Sequence, residues 1–389
     1  MNESLELRAA VNNNLEKIYS VVDSYGVIVR SIHEWLSKLN LQTNISISRG
    51  TVEQYGKALT YLCRWIEARP PYSKLDIEQN IANLTRDDLL SWIRYMKTAG
   101  AKSRKTLRQR ETAVKEFLLW LTTKEGAQRR SQMDSPYGRD GMLKGIVKGA
   151  TPKSPKFIPT NLIVDVLNGL KNECERCLFH CQYDTGLRIS EIINLRASDV
   201  PELSSFSETH EFIPMYVRGV KGSAGEVKER ITLISRAVLK RIKRYHASKE
   251  YRLAQGWGID DANKPAFLTV NAFQWSLRNA SKQFKNATRR IGANESFSTH
   301  WMRHGTAFSV LRSEMGKDYQ DKILIIMSML GHNDIKTSQI YTQISPAMLT
   351  ELTKAGAALN RLDEAEEIRT RTYLAPLKHL EKRGHRAHY

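Results

Sequence analysis

Apolar residues recur along most of this chain at intervals of three and four, the period of a helix with one buried face. Residues 1–45 carry two such runs: Leu5, Ala9, Leu15 and Ile18, then Ile32, Trp35, Leu36 and Leu39, with turn-prone Asp23 to Gly26 between them. They predict an N-terminal helical extension. Residues 46–125 predict a small all-helical domain. Val52, Tyr55, Leu59, Leu62 and Ile66 form one stripe, which Pro70 and Pro71 terminate. A second helix is predicted from Thr85, where Asp88 can satisfy exposed backbone N–H groups, and it buries Leu89, Trp92, Ile93 and Met96. A third is predicted from about Ser103, burying Leu107, Val114, Leu118 and Leu121.

The pattern then breaks. Residues 126–160 are rich in Gly, Pro, Ser and Lys, with few periodic apolar positions, and read as a basic linker. Residues 161–345 are mixed: helices, then two strand-like runs at Phe212–Val217 and Glu229–Ile234 around a Gly-containing turn, then helices again. Residues 346–389 hold a further helical pattern, with Leu349, Leu352, Ala355 and Leu359 apolar, and a basic tail. The expected fold is mainly α with a small antiparallel β-sheet: a helical domain followed by a mixed α+β domain.

Charge changes this picture. Among 389 residues, 60 Lys and Arg stand against 41 Asp and Glu, a formal charge of +19. Such an excess calls for a polyanion, and nucleic acid leads. No apolar run is long enough to span a bilayer, and the polar, acid-bearing start does not resemble a signal peptide. Four cysteines are too few for a disulfide scaffold. A cytoplasmic, nucleoid-associated, bacterial protein is expected. Arg104, Arg108 and Lys115 line one side of the third helix. Such a stripe is ordinarily a solvated face, but Lys102, Lys105 and Arg110 crowd the same turns and favour phosphate contacts. A basic connector between two basic domains points to a clamp around its ligand.

Three clusters in the 161–345 block carry candidate chemistry. Thr185-Gly186-Leu187-Arg188-Ile189-Ser190-Glu191 is a glycine turn into a helix start, presenting Arg188 with Glu191 one turn on. An arginine fork matches two phosphate oxygens, although this pair alone would pass for a surface ion pair. His300-Trp301-Met302-Arg303-His304 places His300 and Arg303 on one helical face. Leu330-Gly331-His332 is followed nine residues later by Tyr341, in Gln339-Ile340-Tyr341-Thr342.

In this order the motifs resemble those of the tyrosine recombinase (integrase) family, over about residues 45–345. The resemblance implies a helical core-binding domain and a catalytic domain that cut and rejoin DNA through a 3′-phosphotyrosyl bond. It implies that Arg188, His300, Arg303 and His332 surround the scissile phosphate and that Tyr341 attacks it. Lys221 matches the family's hairpin lysine and would protonate the leaving 5′-oxygen, although the hairpin turn is longer than usual and Lys228 is a rival. Glu191 is a supporting acid. No cofactor and no metal are implied. Cys174, Cys177 and Cys181, with His180 beside them, line one helical face but lack a fourth ligand in zinc-site geometry. The expected partners are specific double-stranded DNA sites and other copies of the chain, in a homotetramer acting for a mobile element. The C-terminal helix is either passed to a neighbouring subunit or folded back on its own domain. Two alternatives share the fold: a type IB topoisomerase-like nicking and resealing enzyme, and a non-catalytic DNA-binding accessory protein.

Overall fold

The apolar stripes collect into two units, each with its own core. The computed structural model describes residues 5–11, 17–22, 26–42, 47–69, 76–100, 103–149, 157–219, 229–259, 261–293, 297–332 and 360–374.

The first unit opens with an antiparallel hairpin, β1 (Glu6–Val11) and β2 (Lys17–Val22), with Glu6 opposite Val22 and Val11 opposite Lys17. This corrects the helix expected there. Ile18, Tyr19, Val21 and Val22 are β-branched or aromatic residues that suit a half-buried pleated surface, and Tyr19 and Val21 alternate into the core. Leu15 lies outside the described residues. The hairpin packs on α1 (Arg30–Leu41) and α2 (Arg49–Glu67). Its Leu7 approaches so closely that a Cβ on Gly56 would lie 2.7 Å from the Leu7 Cδ1.

Helices α3 (Ile77–Ala82), α4 (Arg86–Thr98) and α5 (Arg104–Trp120) complete the layer. Their starts follow the expected capping chemistry. Ser48 caps α2, Thr85 and Asp88 form a reciprocal capping box on α4, and Ser103 caps α5. Val52, Leu59, Leu62 and Ile66 are buried, while Tyr55 stacks on Trp35 with ring centroids 5.6 Å apart.

Residues 126–149, expected as linker, pack on this unit instead. Tyr137 is fully buried, the buried Glu111 carboxylate accepts from the Ile146 and Val147 N–H groups, and the Arg130 guanidinium donates to the carbonyls of Ile81, Leu84 and Asp134. The anchors are polar side chains, so the segment shows no apolar period.

The second unit is built on α6 (Thr160–Asn168), α7 (Glu173–Thr185), the short α8 (Ile189–Ile192), the hairpin β3 (Phe212–Val217) and β4 (Arg230–Ser235), α9 (Arg236–Ala247), α10 (Lys249–Arg252), α11 (Leu277–Arg290), α12 (Thr299–Arg312) and α13 (Tyr319–Leu330), with α14 (Arg361–Thr372) after them. In the hairpin Phe212 faces Ser235 and Val217 faces Arg230. Helix α7 is buried on every side, so Cys174, Cys177 and Cys181 are free thiols within the core, and burial pushes their pKa values up. Burial and the cation of Arg241 push the His180 pKa well below its usual value, and Arg241 is itself clamped by both oxygens of Glu173 at 2.7 and 3.0 Å. No group of His, Cys, Asp and Glu able to hold a metal occurs among the described residues. None of the described helices is long and apolar enough to cross a membrane.

Helix α14 packs on α6, α7 and α9 of its own chain. Its buried Glu364 accepts from Thr160 at 2.6 Å, from the Tyr183 hydroxyl at 3.0 Å and from Ser309. Arg361 donates to the Asp184 carbonyl at 2.8 Å. Of the helix expected over residues 347–368, residues 347–359 lie outside the described residues, as does the basic tail, and residues 361–368 fall in α14.

Candidate active site

Two glycine turns set the site. Gly186 ends α7 at φ +67°, and a Cβ there would lie 2.5 Å from the Leu330 Cδ2. Gly331 ends α13 at φ +60°, and a Cβ there would lie 2.5 Å from the Arg230 Cδ. Both the backbone sign and the close approach require glycine. The turns thus bring Arg188, which begins α8, and His332, which follows α13, to the same region of the unit.

Arg303 locks them together. It projects from α12, is 2% exposed, and donates through Nη1 to the Gly186 carbonyl at 2.7 Å and through Nη2 to the Leu330 carbonyl. One planar fork therefore joins the three motif segments. His300, exposed on the same helix, meets the half-buried His304 edge to face, with ring centroids 4.6 Å apart.

Glu191 organises the charge. Its Oε2 accepts from the Arg188 backbone N–H at 2.7 Å and from the Arg230 Nη2 at 2.8 Å, while its Oε1 accepts from the Arg188 Nη1 at 2.9 Å. Burial works to raise the carboxyl pKa, but Arg230 and Arg188 outweigh it and hold the value below the usual carboxylate range. Cations lower the histidine pKa values as well, and there burial acts with them instead of against them. Burial first, then Arg303, Arg188, Arg230 and His300, push the His332 pKa down to about 4. Burial, then His300, Arg303 and His332, push that of His304 down to about 4. Both rings are neutral near pH 7.

A stability prediction follows. The unfolded chain binds protons at these histidines from about pH 6.5, whereas the folded chain resists until about pH 4. Stability therefore falls as pH drops through that window. Thermal melts of the free protein from pH 7.5 to 4.5 should show a declining midpoint that is shallower in His304→Asn. A flat profile would count against these environments.

Other expected residues separate clearly. Arg104, Lys105 and Arg108 are exposed on the first turns of α5. Lys115 is not so placed: it is half-buried, donates to the Gly141 carbonyl at 3.3 Å and lies 5.5 Å from the Tyr137 ring centroid. It secures the 126–149 segment, a role that depends on residues distant in sequence. Arg110 stacks over Tyr61 at 3.8 Å. Lys102, Lys221, Lys228 and Tyr341 lie outside the described residues. Two features escaped the sequence reading. Arg230 is one. The other is a cleft of about 700 Å³ in the first unit, where Arg94, Lys97, Arg104 and Lys148 surround an apolar floor that includes Ile93 and Leu107. The three-residue spacing of Arg94 and Lys97 on α4 was its one legible signal.

Comparisons with known proteins give the family. The phage integrase family model matches residues 160–348, and the model of its N-terminal SAM-like domain matches residues 32–125, together well over half of the chain. The chain belongs to the phage integrase family of tyrosine recombinases, enzymes of site-specific DNA recombination. It is 29% identical to tyrosine recombinase XerA of Pyrococcus horikoshii over 54% of this chain and 66% of that protein. It is 22% identical to tyrosine recombinase XerD of Halalkalibacterium halodurans over 79% of this chain and 91% of that one. It shares the fold of the Tn1549 transposon integrase solved in complex with circular intermediate DNA, with a TM-score of 0.54 and 16% identity over 83% of this chain and 99% of that one.

Proposed function

We propose that this recombinase uses Tyr341 to cut DNA and does so as a tetramer on two sites of a mobile element, on the nucleoid of a bacterium. The observation that carries the reading is the Arg303 fork, which gathers the Arg188 and His332 turns around one cationic pocket. A phosphodiester resists attack because its oxygens are anionic and its leaving alkoxide is poor. Arg188 and Arg303 neutralise the non-bridging oxygens and gain more as charge builds in the transition state.

The Tyr341 oxygen forms a bond to phosphorus while the bond from phosphorus to the 5′-oxygen breaks. The phenol proton leaves to the neutral imidazole of His332, to His300 or to water. Lys221, or its rival Lys228, gives a proton to the 5′-oxygen. The products are a 3′-phosphotyrosyl ester and a free 5′-hydroxyl, and the ester energy is conserved. Attack by a 5′-hydroxyl from another strand reverses each step and seals the new joint. Glu191 keeps Arg188 aimed and charged. Each of these steps is balanced by side chains, water and the DNA hydroxyl, without a cofactor.

The SAM-like domain would supply the other half of a clamp, with Arg104, Lys105 and Arg108 on the phosphate backbone. Replacing Arg104 and Arg108 with Gln should weaken binding and lower the slope of log affinity against log salt by about two. Lys115→Met should leave the slope unchanged and lower the melting temperature instead. Equal slopes in all three proteins would remove α5 from the interface.

The fold shared with a transposon integrase supports the mobile-element role. The test is to lyse cells in denaturant, recover the protein and sequence the ends of any DNA still attached. Ends that border a movable segment support the proposal. Ends at a single chromosomal site would overturn the mobile-element role, and the absence of attached DNA would overturn the covalent chemistry. Native mass of the protein on that DNA, at four chains per two duplexes or otherwise, decides the assembly.

A further inference from the structure

Arg230 belongs to none of the motifs, yet it touches two of them. It begins β4, opposite Val217, at the end of the ladder where the chain between the two strands, which includes Lys221 in sequence, departs. Its side chain is 12% exposed. One end of its fork, Nη2, lies 2.8 Å from the Glu191 Oε2, and the other, Nη1, donates to the Met329 carbonyl. Its stem runs under Gly331, where a Cβ would lie 2.5 Å from Cδ and 2.7 Å from Nε. Thr232, two residues along the strand, adds to the same wall by donating to the Thr185 carbonyl at 2.8 Å.

A structural explanation alone fits poorly. The Arg230 Nε is buried with no hydrogen-bond partner among the described residues, and burial weakens the guanidinium's hold on its proton, only partly offset by Glu191. A site selected for stability alone would favour a well-packed apolar side chain over an incompletely satisfied buried cation. What the cation does provide is a rigid bridge. Glu191 sets the direction of Arg188, and Met329 lies three residues before His332.

We propose that Arg230 is a positioning residue for strand cleavage, holding the Glu191–Arg188 pair and the α13 turn that carries His332 in one fixed relation to the hairpin. The inference rests on the recombinase reading given above. Lysine can place one ammonium on either acceptor but cannot bridge both, and methionine can do neither.

The experiment compares wild type, Arg230→Lys, Arg230→Met and Gly331→Ala on a nicked duplex carrying the junction recovered with the wild-type protein. Single-turnover formation of the covalent adduct should fall about 10²-fold in Arg230→Met, while affinity for the same duplex stays within about threefold of wild type. Arg230→Lys should recover part of the rate. Gly331→Ala, which drives a methyl into the arginine stem, should resemble Arg230→Met although every charge remains. Cleavage by Arg230→Met within threefold of wild type, or equal losses of binding and cleavage with a lowered melting temperature, would overturn the proposal.

A second measurement needs no DNA. Beside burial, the charges of Arg303, Arg188, Arg230 and His300 lower the His332 pKa. Its titration by NMR in the free protein should move upward in Arg230→Met, as one cation leaves and the turn loosens. An unmoved titration would overturn the coupling. If wild type formed no adduct but this titration moved as expected, the recombinase reading would fail while the coupling of Arg230 to His332 would stand.

Discussion

Tyr341→Phe should reduce covalent DNA capture to background while binding of the same DNA stays within a few fold of wild type. The phenylalanine ring keeps nearly all of the size and apolar area of tyrosine and lacks only the oxygen that would bond to phosphorus in the proposed reaction. A phenol with an ordinary pKa near 10 is a weak nucleophile at neutral pH. It must be deprotonated as it attacks, which a pocket formed by Arg188, Arg303 and Arg230 favours. Attack by water in its place would break the strand without leaving a protein–DNA bond, so the loss of adduct should be complete. Denaturing recovery of protein from cells expressing either form measures this directly. Persistent adduct in the variant would assign the nucleophile elsewhere. Equal absence from both, in cells containing the target, would favour the accessory DNA-binding reading. A wild-type adduct that reseals without joining two sites would favour a topoisomerase-like activity.

Arg303→Ala should be the next most damaging change. It removes a cation from the proposed phosphate pocket, an effect worth about 10²–10³-fold in rate for one such donor. It also leaves the Gly186 and Leu330 carbonyls without their donor. Each buried acceptor left unpaired costs about 1–3 kcal/mol, and both belong to the turns that aim Arg188 and His332. The losses should compound to roughly 10³-fold or more in adduct formation, with a lower melting temperature. Arg303→Lys retains the charge but not the fork, so it should restore part of the stability and little of the rate. Melting curves and single-turnover cleavage, measured on the same three proteins, separate the two contributions. A normal rate in Arg303→Ala would dismantle the site.

The helix starts were legible because caps act within three residues. Ser48, Thr85 and Ser103 bond to backbone N–H groups at that distance whatever the rest of the chain does. The motif turns were legible for the same reason. Gly186 and Gly331 adopt positive φ where a helix must end, and the reactive residue types follow immediately. The N-terminal hairpin was not. Over runs as short as Glu6–Val11 and Lys17–Val22, apolar residues fit a helical period about as readily as a strand's, and pairing with the opposite strand decided between them. Residues 126–149 were misread because Glu111, Arg130 and Tyr137 hold them, and a polar anchor leaves no hydrophobic period.

The sequence by itself determined the residue types and their order, the helix boundaries set by local caps, and the turns that present Arg188 and His332. Tertiary structure alone decided how each charge is used. Lys115 and Arg104 belong to the same basic stripe, but the fold brings the Gly141 carbonyl to Lys115 and leaves Arg104 exposed. Arg230 is one more arginine in a strand until β4 carries it to Glu191 and Met329. A charge acquires its partner, its pKa and its role from groups within a few ångströms, and in this chain those groups lie 26, 39 and 99 residues away.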